Sequence, residues 1–303
     1  MSVSIIIPTL NEATCLRATL CMLRSLDPSP LEIILSDGGS EDGTVAIGIE
    51  ELGSQIIELE NSAVGPGETT ETGAKAIEIS TIATAPRISP TIGHGTIEAP
   101  VLPPNLPGET GFIRILQTTP AQRARQMNRG AQVARGTILC FLHADTQVPP
   151  DLVTLLETTL QDPETAAVGF ISLMSGPLTT RWGISFHNYL KTYYAALLFY
   201  PWAFFSKGLR ILFGDQVIAC RTREFDRCGG FDSSLAIMED ADLCLRLNDY
   251  GRIRMLNRVV QSSDRRVAHW GPWKANFLYL AIGILWGLGV DSHYLKQFYQ
   301  DIR

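Results

Sequence analysis

A carboxylate at the end of an apolar run is the first candidate for chemistry in this sequence. Asp145 follows residues 139–142 (LCFL), a run that is apolar enough to form a buried strand. A carboxylate in that place can hold a divalent cation against two phosphates while phosphate oxygens and water complete the coordination. Asp145 can also act as the cap of a helix that begins near Pro149, so the residue alone leaves both interpretations open.

A second carboxylate stands in a glycine-rich turn. Asp37 follows the apolar run 31–36 and precedes Gly38 and Gly39. The glycines permit close approach to the backbone, and the carboxylate can accept hydrogen bonds from a nucleotide base or a ribose hydroxyl. An ordinary Asx turn is the equal alternative. The chain has no Walker A sequence, and no G-x-G-x-x-G follows its first apolar run, which disfavours a nicotinamide or flavin dinucleotide.

Glu239 and Asp240 are adjacent acids at the predicted start of a helix. Acids in that position stabilise the positive end of the helix dipole. One of them can instead deprotonate an acceptor hydroxyl, which contributes roughly 10²- to 10⁴-fold in rate. Ile237 and Met238 precede the pair, and this partly apolar setting is expected to raise a carboxylate pKa.

Strands and helices alternate along the first part of the chain. Apolar runs at 3–7, 31–36 and 54–59 predict buried strands, and leucines spaced by three and four residues predict a helix capped by Asn11 or Thr14. Further strands are expected at 113–116, 137–142 and 167–173, and further helices at 44–52, 121–134 and 151–160. This rhythm predicts a doubly wound, mostly parallel α/β sheet with helices on both faces. Ligands of such sheets bind beyond the carboxyl ends of the strands.

Residues 61–111 have a different composition from the rest of the chain. They contain eight Thr, seven Pro, seven Gly and no aromatic residue. Such a segment can bury little apolar surface, so we predict an irregular insertion with a short helix near 72–80. The insertion can fold over the site as a lid or extend away from it, and we favour the second alternative. The expected organisation is one α/β domain at 1–260 that contains this insertion, followed by a helical, amphipathic or hydrophobic region at 261–303.

Two uncharged, aromatic-rich runs lie in the second half of the chain. They span 192–206 and 275–290 and have 15 and 16 residues, fewer than the about 20 apolar residues of a membrane-spanning helix. Lys191 and Lys207 flank the first run, and Lys274 precedes the second. Buried helices that cap the core are the first interpretation, and an interfacial surface that lies on a membrane is the second.

The composition excludes several classes of protein. With 45% hydrophobic and 18% charged residues the chain is globular, and its net charge of −6 combines −11 in residues 1–111 with +5 in residues 112–303. Anionic partners are therefore compatible with the second part, but the chain lacks the basic stripe with interleaved aromatics that nucleic-acid binding requires. Six scattered cysteines without a C-x-x-C pair, and no signal peptide, predict a reduced, cytoplasmic protein without a zinc ribbon.

Six motifs, in order, resemble those of family 2 glycosyltransferases with the GT-A fold. They stand at 4–12 (SIIIPTLNE), 36–44 (SDGGSEDGT), 123–131 (RARQMNRGA), 143–145 (HAD), 214–216 (GDQ) and 238–243 (MEDADL). Together they cover most of residues 1–260. The third, fourth and fifth are also similar to a bacterial subgroup that includes proteins linked to arsenosugar biosynthesis.

The resemblance implies that a sugar moves, with inversion, from a nucleotide-diphosphate donor to an acceptor hydroxyl with the help of Mg²⁺ or Mn²⁺. Asp145 matches the last Asp of the D-x-D motif and would hold the metal, while Asp240 matches the general base and has Glu239 beside it. The implied acceptor wall is Gly214, Asp215 and Gln216. The implied nucleotide-binding residues are Pro8, Thr9, Asn11, Glu12, Asp37, Gly38, Gly39, Asp42, Arg123, Arg125 and Asn128.

The chain departs from the family pattern at the first Asp of D-x-D, which is His143. A neutral imidazole can ligate Mn²⁺ but suits Mg²⁺ poorly, so we expect His143 to stand behind the site or to contact ribose. Arg265 and Arg266 either neutralise the diphosphate or form a solvated basic turn. We expect His269 to be a surface or core histidine rather than a metal ligand.

Two other functions fit parts of the pattern. A sugar-1-phosphate nucleotidyltransferase uses a related sheet, although its glycine- and lysine-rich signature is missing near the first strand. A non-catalytic protein that binds nucleotide sugars at a membrane is consistent with the missing D-x-D acid. The acceptor is expected to be a small molecule or a lipid-linked one, with peripheral contact at the inner face of the cell membrane.

Overall fold

A computed structural model of the chain describes residues 1–52, 60–61, 112–176 and 179–299. Its centre is a sheet in which nine strands of these residues follow the order β3-β4-β2-β1-β5-β8-β7-β9-β6. The strands are β1 (Val3–Thr9), β2 (Glu32–Asp37), β3 (Glu60–Asn61), β4 (Phe112–Gln117), β5 (Ile138–Phe141), β6 (Thr146–Gln147), β7 (Thr165–Ser175), β8 (Ile218–Arg221) and β9 (Arg252–Ser263). The helices are α1 (Ala13–Arg24), α2 (Thr44–Leu52), α3 (Arg123–Val133), α4 (Leu152–Leu160), α5 (Trp182–Phe199), α6 (Pro201–Ser206), α7 (Thr222–Arg227), α8 (Glu239–Leu247), α9 (Arg265–Trp270), α10 (Pro272–Gly287) and α11 (Ser292–Lys296).

The strands β4, β2, β1 and β5 run parallel and have both faces covered. Ile5 and Ile7 of β1 belong to one core with α1 and α4, and Ile6 belongs to another with α3 and α8. Successive side chains of a strand point to opposite faces, so a strand buried on both sides is apolar throughout. The predicted α/β sheet, doubly wound and mostly parallel with helices on both faces, is confirmed.

The rest of the sheet is mixed. Strand β8 runs antiparallel to β5 and β7, β9 runs parallel to β7, and β6 runs antiparallel to β9. Residues Met1–Ser62 and Glu109–Arg303 form one compact unit, and the expected boundary at 260 falls within β9. The predicted strand at 54–59 and, apart from residue 61, the predicted insertion at 61–111 lie outside the described residues.

The start of α1 differs from the prediction. Neither Asn11 nor Thr14 caps this helix, because Ala13 begins it and Glu12 holds the cap position without a side-chain hydrogen bond. Asn11 has a positive φ of 56°, and its Oδ1 accepts a hydrogen bond from the backbone N–H of Glu41. The loops after β1 and β2 are therefore tied to each other.

The aromatic-rich helices are only partly buried. The prediction that they cap the core as buried helices is wrong for their outer faces, since α6 buries no residue and α10 buries only Ala275 and Ile282. Exposed fractions of large side chains reach 69% at Trp202, 77% at Phe205 and 87% at Trp273. In the described part of the chain, no helix combines the length and the apolar character needed to span a membrane.

Candidate active site

A cavity of about 490 Å³ lies at the carboxyl ends of β1 and β5, where the sheet architecture predicts a ligand site. The loops after these strands, the start of α3, the turn at Gly214–Gln216, α8 and the C-terminal helices line it. It brings together twelve of the candidate residues from the sequence. These are Pro8, Thr9, Glu12, Arg123, His143, Asp145, Gly214, Asp215, Glu239, Asp240, Arg265 and Arg266.

Other predicted residues do not line this cavity. Arg125 is exposed, whereas Gln216 is fully buried and hydrogen-bonds to Thr192 and to the Phe213 N–H. Asn128 braces a distant loop by donating to the Phe231 carbonyl. Asn11, Asp37, Gly38, Gly39 and Asp42 are also not among the residues that line the cavity, and Gly39 and Asp42 are exposed.

Asp37 organises the loop that follows β2. Its Oδ1 accepts from the Thr9 hydroxyl at 3.0 Å, and its Oδ2 accepts from the N–H groups of Gly39 and Ser40 at 2.9 and 2.8 Å. With 1% of its surface exposed, the carboxylate is committed to the protein's own donors. The Asx-turn interpretation of Asp37 is therefore the one that the geometry favours.

Gln126 of α3 joins the ends of β1 and β2. Its Nε2 donates to the carbonyls of Thr9 and Ser36, both at 2.7 Å. The close approach of the segment that leads into α3 needs Gly38, because a Cβ there would lie 2.7 Å from the Cβ of Ala121 and 3.2 Å from Gln126 Nε2. Sequence reasoning assigned no role to Gln126, although a glutamine on a helix that faces apolar strands is a usable signal.

Glu12 and Asp145 converge on one guanidinium. The Nη2 of Arg265 donates to Glu12 Oε2 at 2.8 Å and to Asp145 Oδ2 at 3.0 Å, and the three side chains are 18 to 30% exposed. Two carboxylates thus face a common positive charge at the cavity wall. Arg266 contacts the Tyr299 hydroxyl and ring instead, so the alternative of a solvated basic turn is wrong for both arginines.

Asp240 is a buried acid at the start of α8. Met238 caps this helix with a left-handed backbone (φ 70°), and Asp240 is only 8% exposed. Burial raises the pKa of Asp240 to about 7 and the neighbouring Glu239 adds to the rise, while Arg123 and the Gly214 N–H oppose it. The carboxyl group can therefore change its protonation state near neutral pH, in the direction that its apolar neighbours predict.

His143 faces the acid of α8 across a glycine. A Cβ on Gly214 would lie 2.4 Å from His143 Nε2 and 2.9 Å from Asp240 Oδ2, so both side chains press against this residue. Burial, followed by the charges of Arg123 and Arg266, lowers the pKa of His143 well below its usual value. The imidazole is neutral and stands beside Asp240, as a supporting residue would.

The remaining polar groups form the wall opposite β1. Asp215 Oδ2 accepts from Asn188 of α5, and the Asp215 carbonyl accepts from Ser262 at the end of β9. Lys191 of α5 lines the same part of the cavity. His269 is exposed and does not line the cavity, as predicted for a surface histidine.

Two comparisons with known proteins were informative in different ways: one finds a family match and the other finds none. The family model described as glycosyl transferase family 2 matches residues 4–77 and 106–222, more than half of the chain. The comparison with curated proteins finds no match. The resemblance to the arsenosugar-linked bacterial subgroup stays a prediction.

Solved structures share the fold at low sequence identity. The mannosyltransferase PcManGT from Pyrobaculum calidifontis with GDP-Man and Mn²⁺ is 17% identical over 99% of this chain and 65% of its own, with a TM-score of 0.57. Glucosyl-3-phosphoglycerate synthase from Mycobacterium tuberculosis with Mn²⁺, UDP and phosphoglyceric acid is 14% identical over 95% and 79%, with a TM-score of 0.55. TarS from S. aureus with UDP-GlcNAc is 13% identical over 98% and 70%, with a TM-score of 0.53.

Proposed function

The chain belongs to glycosyl transferase family 2, and from that premise we propose that it transfers a sugar with inversion from a nucleotide-diphosphate donor to an acceptor hydroxyl. The donor occupies the end of the cavity at Glu12, Arg123 and Asp145, hereafter the donor end. The acceptor occupies the end at Lys191, Asp215 and Asp240, hereafter the acceptor end. The observation that carries this proposal is the buried Asp240, whose pKa is raised to about 7 inside the cavity.

The chemistry is a single displacement at the anomeric carbon. The acceptor oxygen forms a bond to this carbon as the bond to the diphosphate oxygen breaks on the opposite face. Asp240 takes the proton of the acceptor hydroxyl, which requires its ionised form. His143 and the Gly214 N–H hold the carboxylate in place from one side. Glu239 pairs with Arg123 at 3.6 Å and lies beside Asp240, where its negative charge favours proton uptake by Asp240.

The donor end fits a divalent cation bound together with the diphosphate. No three His, Cys, Asp or Glu side chains of the described residues are grouped closely enough to hold a metal alone. Mg²⁺ and Mn²⁺ commonly bind through one or two carboxylates plus substrate phosphates, and Glu12 and Asp145 offer such oxygens around one positive charge. The cation would stabilise the charge of the departing nucleoside diphosphate. Arg265, which pairs with both carboxylates, supplies further positive charge there.

A donor panel tests this function without knowledge of the acceptor. The purified chain is incubated with UDP- and GDP-sugars and Mn²⁺ or Mg²⁺, and release of the nucleoside diphosphate is measured. Slow hydrolysis of one donor, lost in Asp240→Asn, is expected because water can replace the acceptor. Binding of nucleotide sugars without any hydrolysis or transfer would contradict a catalytic role.

We further propose that the chain docks on a membrane and takes a lipid-linked acceptor. Exposed aromatic side chains cluster on α5, α6 and α10, where Trp182, Phe186, Trp202, Phe205, Trp273 and Phe277 are 63 to 87% exposed. Exposed surfaces of this kind are typical of interfacial binding. Residues of α5 and α10 also line the acceptor end, namely Lys191, Tyr279 and Ile282. An acceptor held in the bilayer could therefore reach Asp240 along these helices.

Vesicle co-sedimentation tests the docking surface. The chain is expected to pellet with phosphatidylglycerol-containing vesicles, and a Trp202→Ser, Phe205→Ser double variant is expected to lose most of this binding. Val259→Ser, which removes an exposed apolar side chain from β9, is the matched control. Equal sedimentation of the double variant and the control would contradict the docking surface.

A further inference from the structure

Lys191 is a buried ammonium group that no oxygen of the described residues holds. It lies on α5, is 8% exposed and lines the acceptor end of the cavity. Its Nζ stands 3.5 Å from the centre of the Phe213 ring and 5.6 Å from that of Tyr279. Within the described ranges, no hydrogen bond or ion pair joins it to a carboxylate or a carbonyl. The aromatic rings offset only part of the cost of its burial.

The acids near Lys191 are engaged elsewhere. Asp215 and Asp240 act on it electrostatically, but Asp215 accepts from Asn188 and Asp240 accepts from the Gly214 N–H. The other titratable neighbours are His187 of its own helix and Tyr279 of α10. The Lys191 ammonium thus borders the cavity, and no hydrogen bond among the described residues uses its N–H donors.

We propose that Lys191 binds an anionic group of the acceptor, a phosphate or a carboxylate, while the hydroxyl to be glycosylated lies at Asp240. This inference rests on the proposed function, because it assigns a substrate class to the acceptor end. A buried ammonium with free donors makes strong, charge-assisted hydrogen bonds to an anion. Phe213 and Tyr279 fix the direction of the lysine side chain, so the anion has one defined position relative to the base.

Lys191 also gives the anion site a pH dependence. Burial lowers the pKa of Lys191 to about 8, although Asp215 and Asp240 oppose the shift. The positive charge is therefore present below about pH 8 and is lost as the pH rises through that value. The KM for an anionic acceptor should rise above pH 8, and Lys191→Arg should abolish this alkaline rise because the guanidinium stays charged.

Phosphate binding tests the site without knowledge of the acceptor. The chain is first saturated with UDP or GDP and the divalent cation, so that the donor end is filled, and inorganic phosphate is then titrated by calorimetry. Lys191→Met should weaken phosphate binding about tenfold or more, and Lys191→Arg should retain most of it. Lys274→Met, which removes an exposed lysine of α10, is the matched control and should bind phosphate like the wild type.

Three acceptors, two with an anionic group and one without, give the second test. Transfer to glycerol 3-phosphate, glyceric acid and glycerol is compared with the donor that the panel identifies. A phosphate or carboxylate acceptor should have a kcat/KM about tenfold or more above glycerol, and Lys191→Met should remove the advantage mainly through KM.

The results separate the two proposals. Donor hydrolysis together with equal phosphate binding by the wild type and Lys191→Met would overturn the anion site and leave the glycosyltransferase intact. A Lys191→Met variant that lowers kcat/KM for glycerol and glycerol 3-phosphate equally would also overturn it. Absence of hydrolysis and transfer with every donor would overturn the proposed function itself.

Discussion

The donor end and the acceptor end of the cavity differ in how far their charged groups are paired within the protein. At the donor end, Glu12 and Asp145 share Arg265, and Thr9 of the cavity lining donates to Asp37, which itself does not line the cavity. At the acceptor end, burial moves the pKa of Asp240 up to about 7 and that of Lys191 down to about 8. Hydrogen bonds and ion pairs within the protein organise the first region, whereas the second keeps buried charged groups whose partner is supplied by the substrate. Substitution of one charged residue in each region tests this difference between the donor end and the acceptor end.

The largest effect is expected at the base. Asp240→Asn removes the proton acceptor but preserves the shape of the side chain, so transfer should fall about 10²- to 10⁴-fold while the Kd for donor nucleotide changes little. Initial rates and calorimetric titration with the nucleoside diphosphate measure the two quantities. Asp242→Asn, on the same helix but paired with Arg246, is the control and should keep most of the activity. Undiminished turnover in Asp240→Asn would remove this residue from its role.

A smaller effect is expected at the cation site of the donor end. Asp145→Asn removes one of the two carboxylates that face Arg265, so the affinity for donor in the presence of Mn²⁺ should fall about tenfold to a hundredfold. Donor titrations with Mn²⁺ and with EDTA measure the cation-dependent part. Asp151→Asn, which removes a carboxylate that pairs with Arg258 outside the cavity, is the matched control. The same cation dependence in Asp145→Asn and the wild type would show that Asp145 does not hold the metal.

The packing behind the donor end predicts a stability effect. Gly38→Ala places a Cβ 2.7 Å from that of Ala121, which forces α3 away from β1 and β2. We expect about 1–3 kcal/mol of lost unfolding free energy, measured by urea denaturation. Gly183→Ala is the control, because nothing lies within 4 Å of a Cβ there. A Gly38→Ala chain as stable as the control would mean that this contact relaxes freely.

The smallest effect is a pH-dependent gain in stability. The pKa of Asp240 is raised to about 7 in the folded chain, whereas an Asp of the unfolded chain ionises near pH 4, so stability falls as the pH rises from about 4 to about 7 and the loss is constant above 7. Asp240→Asn should therefore have a higher Tm than the wild type at pH 8, and the difference should shrink at pH 5.5. Thermal denaturation at the two pH values measures it. A difference that is constant with pH would argue against a buried, titrating carboxyl group.

The contrast between the two ends also explains what the sequence could predict. The strands β1, β2 and β5 are continuous apolar runs followed by polar loops, so their order and the location of Asp37 and Asp145 at one sheet edge follow from local pattern. The pairing of β8 with β5 and β7 depends on contacts between distant segments, which local pattern does not contain. The same holds for Arg265, which reaches Glu12 from 253 residues away in the sequence.

Lys191 of the acceptor end is a functional candidate that the sequence analysis did not identify. In the sequence it is one lysine between aromatic segments, and such a residue is usually a solvated flank. Only the packing of Phe213 and Tyr279 around it reveals a buried ammonium. The available signal was its place as the single Lys or Arg within the eighteen residues of α5.

The pH dependence of donor turnover tests the central assignment most directly. Initial rates of nucleoside diphosphate release are measured between pH 5 and 9 at a saturating concentration of donor. With Asp240 as the proposed base and its pKa raised to about 7, the rate should increase about tenfold per pH unit below 7 and level off above it. A rate that is flat down to pH 5 would contradict the assignment of Asp240 as the base.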